Sequence, residues 1–89
     1  EARGLGSVTE GVPDAELRDR ALALARALAA GAPRAIAATK RLLWDGLGRS
    51  LEEALPDEAR TVSELSGTAD AREGLAAVIE RRPPAFTGR

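Results

Sequence analysis

The stretch TADAREGLAAVIERRPPAFTGR, residues 68–89, combines a helix start, an apolar ladder, two adjacent arginines and two adjacent prolines. Thr68 can accept hydrogen bonds from the first free amides of a helix, which makes it a good N-cap. Pro83 cannot continue a helix, because its ring removes the amide proton and crowds the preceding turn. We therefore predict a helix from Ala69 to about Arg81, followed by a tail. The positions predicted to face inward are Ala71, Leu75, Val78 and Ile79.

Two more helices are predicted in the alanine- and leucine-rich middle of the chain. Asp14 is a candidate cap for the first, which should end near Ala30 with Gly31 in a left-handed conformation. Pro33 suits the first position of the second, because an amide there would have no helical partner. Trp44 is expected at the edge of the helical core. The apolar stripes are predicted at Leu17, Ala21, Leu24 and Leu28, and at Ile36, Leu43 and Leu47 with Leu42 beside them.

A third helix is predicted from a capping box. Ser50 and Glu53 have the spacing at which each side chain satisfies the other's free amide, so the helix should begin at Leu51. Pro56 lies six residues into this helix, where it removes one hydrogen bond, and we expect a kink or a local break there. The predicted stripe is Leu51, Leu55, Val62 and Leu65.

The first thirteen residues differ from the rest, and Ser7 to Val12 read as a short strand. A lone strand leaves its backbone donors and acceptors unpaired, so it indicates a sheet supplied from elsewhere. The predicted fold is mainly α: four helices after one short N-terminal strand. The predicted organisation is the end of a core over residues 1–13, a helical region over 14–82 and a tail over 83–89.

The hydrophobic composition predicts a thin core. Apolar residues make up 44% of the 89 positions, but nineteen of them are alanines, and there is one tryptophan and one phenylalanine. A methyl group buries little area, so at about 25 cal/mol per Å² these side chains barely offset the entropy of ordering the chain. We expect the chain to oligomerise or to be one piece of a larger protein.

The residue types present exclude several kinds of site. The chain has no cysteine and no histidine, so it offers no thiolate, no zinc cluster and no imidazole base. We expect no metal site and no bound cofactor. Thirteen basic residues against fourteen acidic ones give a net charge of -1, which predicts neither a nucleic-acid nor a membrane partner. The composition suits the cytoplasm.

Carboxylates are the remaining candidates for proton transfer, and each has a structural explanation. Glu52, Glu53 and Asp70 lie in the first turns of predicted helices, where negative charge is stabilised. The serines lack a histidine to activate them. We therefore expect no catalytic residue in this chain. Arg81 and Arg82 leave two interpretations open, capping of a helix end and an anion site shared with another chain.

Four pieces of the sequence, in this order, resemble the enoyl-CoA hydratase/isomerase family, the crotonases. They are LGSVTEGVP (5–13), GAPRAIAATKRLL (31–43), SLEEAL (50–55) and the stretch at 68–89. Residues at the positions of family motifs are Gly6, Ser7, Val8 and Pro13, then Pro33 and Lys40, then Asp70, Glu73, Gly74, Ala77, Glu80, Arg82, Pro84 and Phe86. The resemblance covers nearly the whole chain and implies the C-terminal helical region of a crotonase fold. Ser7 and Gly11 depart from the family strand, and both changes weaken it.

The resemblance also implies partners and an activity. Family members have an N-terminal spiral core that binds acyl-CoA, with backbone amides that stabilise a thioester enolate and glutamates that move protons. The C-terminal helices pack subunits into trimers or hexamers and cover the active site. This chain would then belong to a parent that hydrates or isomerises a 2-enoyl-CoA, with acyl-CoA as its substrate.

Three residues are implied as substrate contacts by their positions in the family motifs. Arg81 stands where the family has a lysine that reaches CoA bound by a neighbouring subunit, and arginine keeps that charge. Val78 stands where the family has a phenylalanine, and it cannot stack on adenine. Val62 matches a ligand-facing position across a subunit boundary, although packing fits an aliphatic residue better. Lys40 is expected in an ion pair, and Phe86 in a groove on a neighbouring surface.

Two other functions remain compatible with the residues. The first is a helical interaction module that self-associates through the stripes at Leu17 to Leu28 and Leu51 to Leu65, without any role in CoA binding. The second is an independent small helical binding protein. An effect of Arg81 on CoA affinity distinguishes the family interpretation from the first of these.

Overall fold

The computed structural model describes all 89 residues and contains four helices. They are α1 (Asp14–Ala29), α2 (Pro33–Gly46), α3 (Leu51–Ser66) and α4 (Ala69–Glu80). The prediction of a mainly helical chain is confirmed. The predicted strand at Ser7 to Val12 is wrong: residues 1–7 form turns, and the following residues have no regular structure. No second extended segment is present to complete a ladder, so a strand here would have unpaired backbone groups.

The segment before α1 is fixed to that helix by side chains. Both carboxylate oxygens of Glu10 accept hydrogen bonds from Arg20 Nε, at 3.0 and 2.8 Å. Val12 is partly covered, and it borders a shallow cavity beside Leu17 and Leu24. The segment therefore follows α1 instead of pairing in a sheet.

The ends of α1 differ from the predictions. Pro13 is the N-cap, and Asp14 is the first helical residue without a capping hydrogen bond. Ala30 ends the helix in a right-handed conformation, with its amide donating to Arg26 O, so Gly31 has no left-handed role. Gly31 instead provides space, because a Cβ atom there would lie 2.6 Å from Ile36 Cδ1.

The predicted starts of α2 and α3 are confirmed. Pro33 begins α2, and Ser50 and Glu53 form the reciprocal capping box of α3. α3 continues through Pro56, so the predicted local break is wrong. Pro56 removes only the bond that its own amide would make, while the capping box and contacts with α2 hold the helix on both sides.

A charged cluster joins α2 to α3. Arg41 donates to Asp57 Oδ2 at 3.1 Å and to Thr61 Oγ1 at 2.8 Å, and Thr61 is buried. The hydrogen bond from Arg41 is the main reason that the pKa of Asp57 is lowered, and the positive charges of Arg60 and Arg49 act in the same direction. These polar contacts therefore help to hold α2 against α3.

The four helices form an open arrangement with almost no interior. The radius of gyration is 16.7 Å, against about 12 Å for a compact domain of this length. The accessible surface is 7326 Å², whereas a compact protein of this mass exposes about 5,000 Å². Only four residues are buried, and Ala77 is the one hydrophobic residue among them. This confirms the expectation of a thin core.

The apolar stripes predicted to face inward are largely exposed. α1 buries none of its residues. The predicted inward residues of α4 are also wrong, because its buried positions are Asp70 and Ala77 while Leu75, Val78 and Ile79 face outward. Trp44 is 67% exposed and lies outside any packed core. These apolar side chains therefore form exposed faces on the helices of this chain.

No single helix has the length and apolar character needed to cross a membrane. α1 and α2 taken together reach that length and composition, but they meet at an angle of 104°.

Candidate functional site

The candidate site is the C-terminal end of α4 with the chain that returns along it. Arg81 has φ 55° and ψ 41°, the left-handed region, which costs about 1–2 kcal/mol for a residue with a side chain. The amide of Arg82 donates to Ala77 O at 3.0 Å and that of Arg81 to Val78 O at 3.3 Å. This pair of bonds is the Schellman motif, which ends a helix and reverses the chain.

Glu73 holds the chain just after this turn. Its Oε1 and Oε2 accept from Arg82 Nη1 and Nη2 at 2.6 and 2.9 Å. The Ala85 amide donates to the same Oε1 at 2.8 Å. The hydrogen bonds from Arg82 are the main reason that the pKa of Glu73 is lowered to about 2, and the bond from the Ala85 amide acts in the same direction. The bonds to Glu73 in turn raise the pKa of Arg82. Glu73 is therefore an ionised anchor near neutral pH and not a proton acceptor.

Asp70 holds the last residues of the tail, one turn before Glu73. Its Oδ1 accepts from the Thr87 amide at 2.7 Å and its Oδ2 from the Gly88 amide at 2.8 Å. The Asp70 amide in turn donates to Arg89 O at 2.8 Å. Asp70 is only 5% exposed, and Gly88 adopts φ 78°, which favours glycine. Residues 82–89, called the tail strap below, therefore run back along α4.

Phe86 lies in the tail strap and packs inside its own chain. A Cβ atom at Gly74 would lie 3.6 Å from Phe86 Cε1, so the ring rests directly on the α4 backbone. The ring is partly covered and forms one wall of an open groove of about 490 Å³. Other residues lining this groove include Ala35, Leu65, Leu75 and Val78. The expectation that Phe86 fills a groove on a neighbouring surface stays a prediction.

The structure does not bring the three predicted substrate-binding residues together. Val78 is 78% exposed and lines the groove beside Phe86, whereas Val62 lines a second groove between α2 and α3. Leu65 borders both grooves. Arg81 lies outside them, exposed, and its side chain makes no ion pair within the chain.

The two adjacent arginines have different environments. Arg82 is bound by Glu73 and also by Glu80, so its charge is already balanced within the chain. Arg81 has a guanidinium available to an anion from outside. The two interpretations of this pair were helix capping and a shared anion site. Arg82 follows neither, because its side chain pairs with Glu73 and Glu80, and an external anion remains available only to Arg81. Lys40 makes none of the ion pairs present in the chain, so that expectation is wrong.

Sequence reasoning missed the organising role of Asp70 and Glu73. Asp70 was explained by its position near a helix start, where charge alone is favourable, and Glu73 was identified only as a family-motif residue. The available signal was their spacing: carboxylates three residues apart share a helix face. Gly74 and Ala77 continue that face with small side chains, which leaves room for a returning chain.

Acid should loosen the tail strap at a low pH set by Glu73. Its folded-state pKa of about 2 lies below its ordinary 4.5, so its stabilising contribution is complete above pH 4.5 and is lost as the pH falls toward 2. The NMR shift of the Ala85 amide proton should therefore titrate with a midpoint near 2. Glu73→Gln should abolish this titration, and a wild-type midpoint at 4.5 would contradict the assigned contact.

The family of this chain follows from its matches to known proteins. A family model described as enoyl-CoA hydratase/isomerase matches residues 1–89. A probable enoyl-CoA hydratase from Rhodobacter capsulatus is 44% identical over 89 residues, which cover 100% of this chain and 35% of that protein. The 2,3-dehydroadipyl-CoA hydratase of Escherichia coli is 32% identical over 89 residues, with the same shares covered.

Solved structures show the same relationship. An enoyl-CoA hydratase from Bacillus anthracis superposes with a TM-score of 0.92 at 30% identity, covering 99% of this chain and 34% of that one. A putative short chain enoyl-CoA hydratase from Novosphingobium aromaticivorans gives 0.83 at 42% identity, covering 99% and 35%. The chain belongs to the enoyl-CoA hydratase/isomerase family, the crotonases, as its motifs predicted. It spans about a third of the length of these relatives.

Proposed function

We propose that this chain is the C-terminal helical region of an enoyl-CoA hydratase/isomerase, which packs on the N-terminal core and on neighbouring subunits and covers the acyl-CoA site. The observation that carries the proposal is the open shape, with an accessible surface of 7326 Å² against about 5,000 Å² for a compact protein of this mass. Much of the excess is apolar side chain on α1 and on the outward face of α4. Such faces are stable when another surface covers them.

The proposed reaction is the hydration of a 2-enoyl-CoA or the migration of its double bond. The names of the matched relatives, enoyl-CoA hydratase and 2,3-dehydroadipyl-CoA hydratase, support hydration of an acyl-CoA. Proton transfer and enolate stabilisation are assigned to the core, because Glu73 and Asp70 are engaged by the tail strap. The enzyme is proposed to work in the cytoplasm as a trimer or hexamer.

Arg81 is the proposed CoA contact within this chain. Its exposed guanidinium has no internal anion to bind, and arginine suits phosphate because its fork can donate two parallel hydrogen bonds. Val78 and Val62 are proposed as apolar contacts near the ligand or the subunit boundary. Their exposures of 78% and 58% leave both available for such burial.

Arg81→Ala should weaken CoA binding without slowing the chemical step. Loss of a charged hydrogen bond typically costs 1.5–3 kcal/mol, so we expect about a tenfold rise in KM for a 2-enoyl-CoA. The value of kcat should stay within about twofold, because the catalytic groups are unchanged. The measurement is steady-state hydratase kinetics on the complete protein, with Arg18→Ala on exposed α1 as the matched control.

The interaction module without a CoA role is the second candidate, and the exposed stripe of α1 favours it. The steady-state kinetics of Arg81→Ala distinguish the interaction module from a region that contacts CoA. An unchanged KM in Arg81→Ala, with assembly intact by sedimentation, would support the interaction module and remove Arg81 from the CoA site. Absence of hydratase and isomerase activity from the wild-type complete protein would refute the proposed reaction itself.

A further inference from the structure

We propose that Glu73 and Asp70 are positioning residues, which hold the tail strap against α4 and thereby fix the turn that presents Arg81 to the phosphate groups of CoA. This inference rests on the proposed function, because it takes Arg81 as the ligand contact. It adds a role for two carboxylates that do not touch the ligand.

The turn at Arg81 needs an external hold. A left-handed arginine is disfavoured, since its Cβ lies too close to the following carbonyl group. Pro83 and Pro84 prevent the helix from continuing, but they do not specify the direction in which the chain leaves. Glycine would adopt this turn without strain. Arginine at position 81 does so only when contacts made by neighbouring residues stabilise the conformation.

Glu73 supplies that hold from both sides of the two prolines. It binds the Arg82 side chain immediately after the turn and the Ala85 amide beyond Pro84. One carboxylate thus fixes both ends of the rigid Pro83–Pro84 segment to α4. Arg81 lies between the end of α4 at Glu80 and the fixed Arg82, so its backbone has little freedom to leave the left-handed region.

Asp70 extends the hold by one helical turn. Its two oxygens take the Thr87 and Gly88 amides, and its own amide returns a bond to Arg89 O. Each of these bonds involves a backbone group of the tail strap. They therefore fix the course of its backbone along α4 as well as holding it close to the helix. This geometry explains why the two adjacent arginines differ. The guanidinium of Arg82 is bound to Glu73, whereas that of Arg81 is exposed.

The test compares Glu73→Gln with Glu80→Gln in the complete protein. Glu80 binds the same Arg82 but holds no amide of the tail strap, which makes it the matched control. Glu73→Gln should speed hydrogen exchange of the Ala85 amide at least about tenfold and weaken CoA binding about fivefold, with kcat within about twofold. Glu80→Gln should change neither quantity by more than about twofold.

The double variant Glu73→Gln/Arg81→Ala provides the readout that a purely structural role would not give. If Glu73 acts through Arg81, the double variant should bind CoA no more weakly than Arg81→Ala alone. Should Glu73→Gln not fold, Arg82→Gln breaks the ion pair from the other side and should also weaken CoA binding, while the Ala85 amide keeps its Glu73 acceptor.

Three results would overturn the inference. Faster exchange at Ala85 with unchanged CoA affinity, while Arg81→Ala still weakens binding, would refute positioning and leave the proposed function standing. No effect of Arg81→Ala on CoA affinity would refute the CoA contact and the positioning role together. Additive losses in the double variant would likewise show that Glu73 acts independently of Arg81.

Discussion

Replacing Asp70 by alanine is expected to release the end of the tail strap and to lower the free energy of unfolding by about 2–3 kcal/mol. The variant removes the acceptors of the Thr87 and Gly88 amides, which now bond to a buried carboxylate at 2.7 and 2.8 Å. Hydrogen bonds to a charged group contribute more than neutral ones, and the released amides recover part of the loss by binding water. Urea denaturation followed by far-UV circular dichroism measures the change.

Asp14→Ala is the matched control, because Asp14 also lies in the first turn of a helix but accepts no capping bond. It should cost less than about 1 kcal/mol, the usual contribution of a charge near a helix N-terminus. Hydrogen exchange at Thr87 and Gly88 should accelerate in Asp70→Ala alone. Equal effects of the two substitutions would show that Asp70 contributes only through the helix dipole.

The second large effect is expected in α1. All of its residues are exposed in this chain, and an isolated helix of 16 residues is marginal in water. Its amides should exchange within about tenfold of the unfolded rate in the 89-residue chain. In the complete protein, coverage of its leucine stripe should slow exchange by about a thousandfold or more.

Helix α3 is the internal reference for this measurement. It has a capping box and packs against α2, so its amides should be protected in both forms. Equal protection of α1 in the chain and in the complete protein would contradict docking of α1. Strong protection of α1 in the chain alone would instead indicate self-association, which sedimentation at several concentrations would reveal.

Features determined by a few neighbouring residues could be predicted from the sequence. The Ser50–Glu53 capping box, the Thr68 cap and the start of α2 at Pro33 all depend on bonds between residues no more than three apart. The family also followed from ordered motifs. These signals are local, so they do not depend on what surrounds the chain.

Features that depend on distant or external groups were predicted poorly. The bonds between Asp70 and the tail join residues 17 and 18 positions apart, which no local pattern encodes. The strand at Ser7 to Val12 requires a partner that these residues do not contain. The predicted contacts Val78 and Val62 line different grooves, and Arg81 lies outside both, so no contact within this chain relates them.

The placement of the tail strap gives α4 two different sides. The side with Asp70, Gly74 and Ala77 is occupied by the chain's own end, through directional bonds and a single aromatic ring. The side with Leu75 and Ile79 remains open. With another surface against that open side, α4 would be the middle of three layers, and the tail strap would form the outermost one.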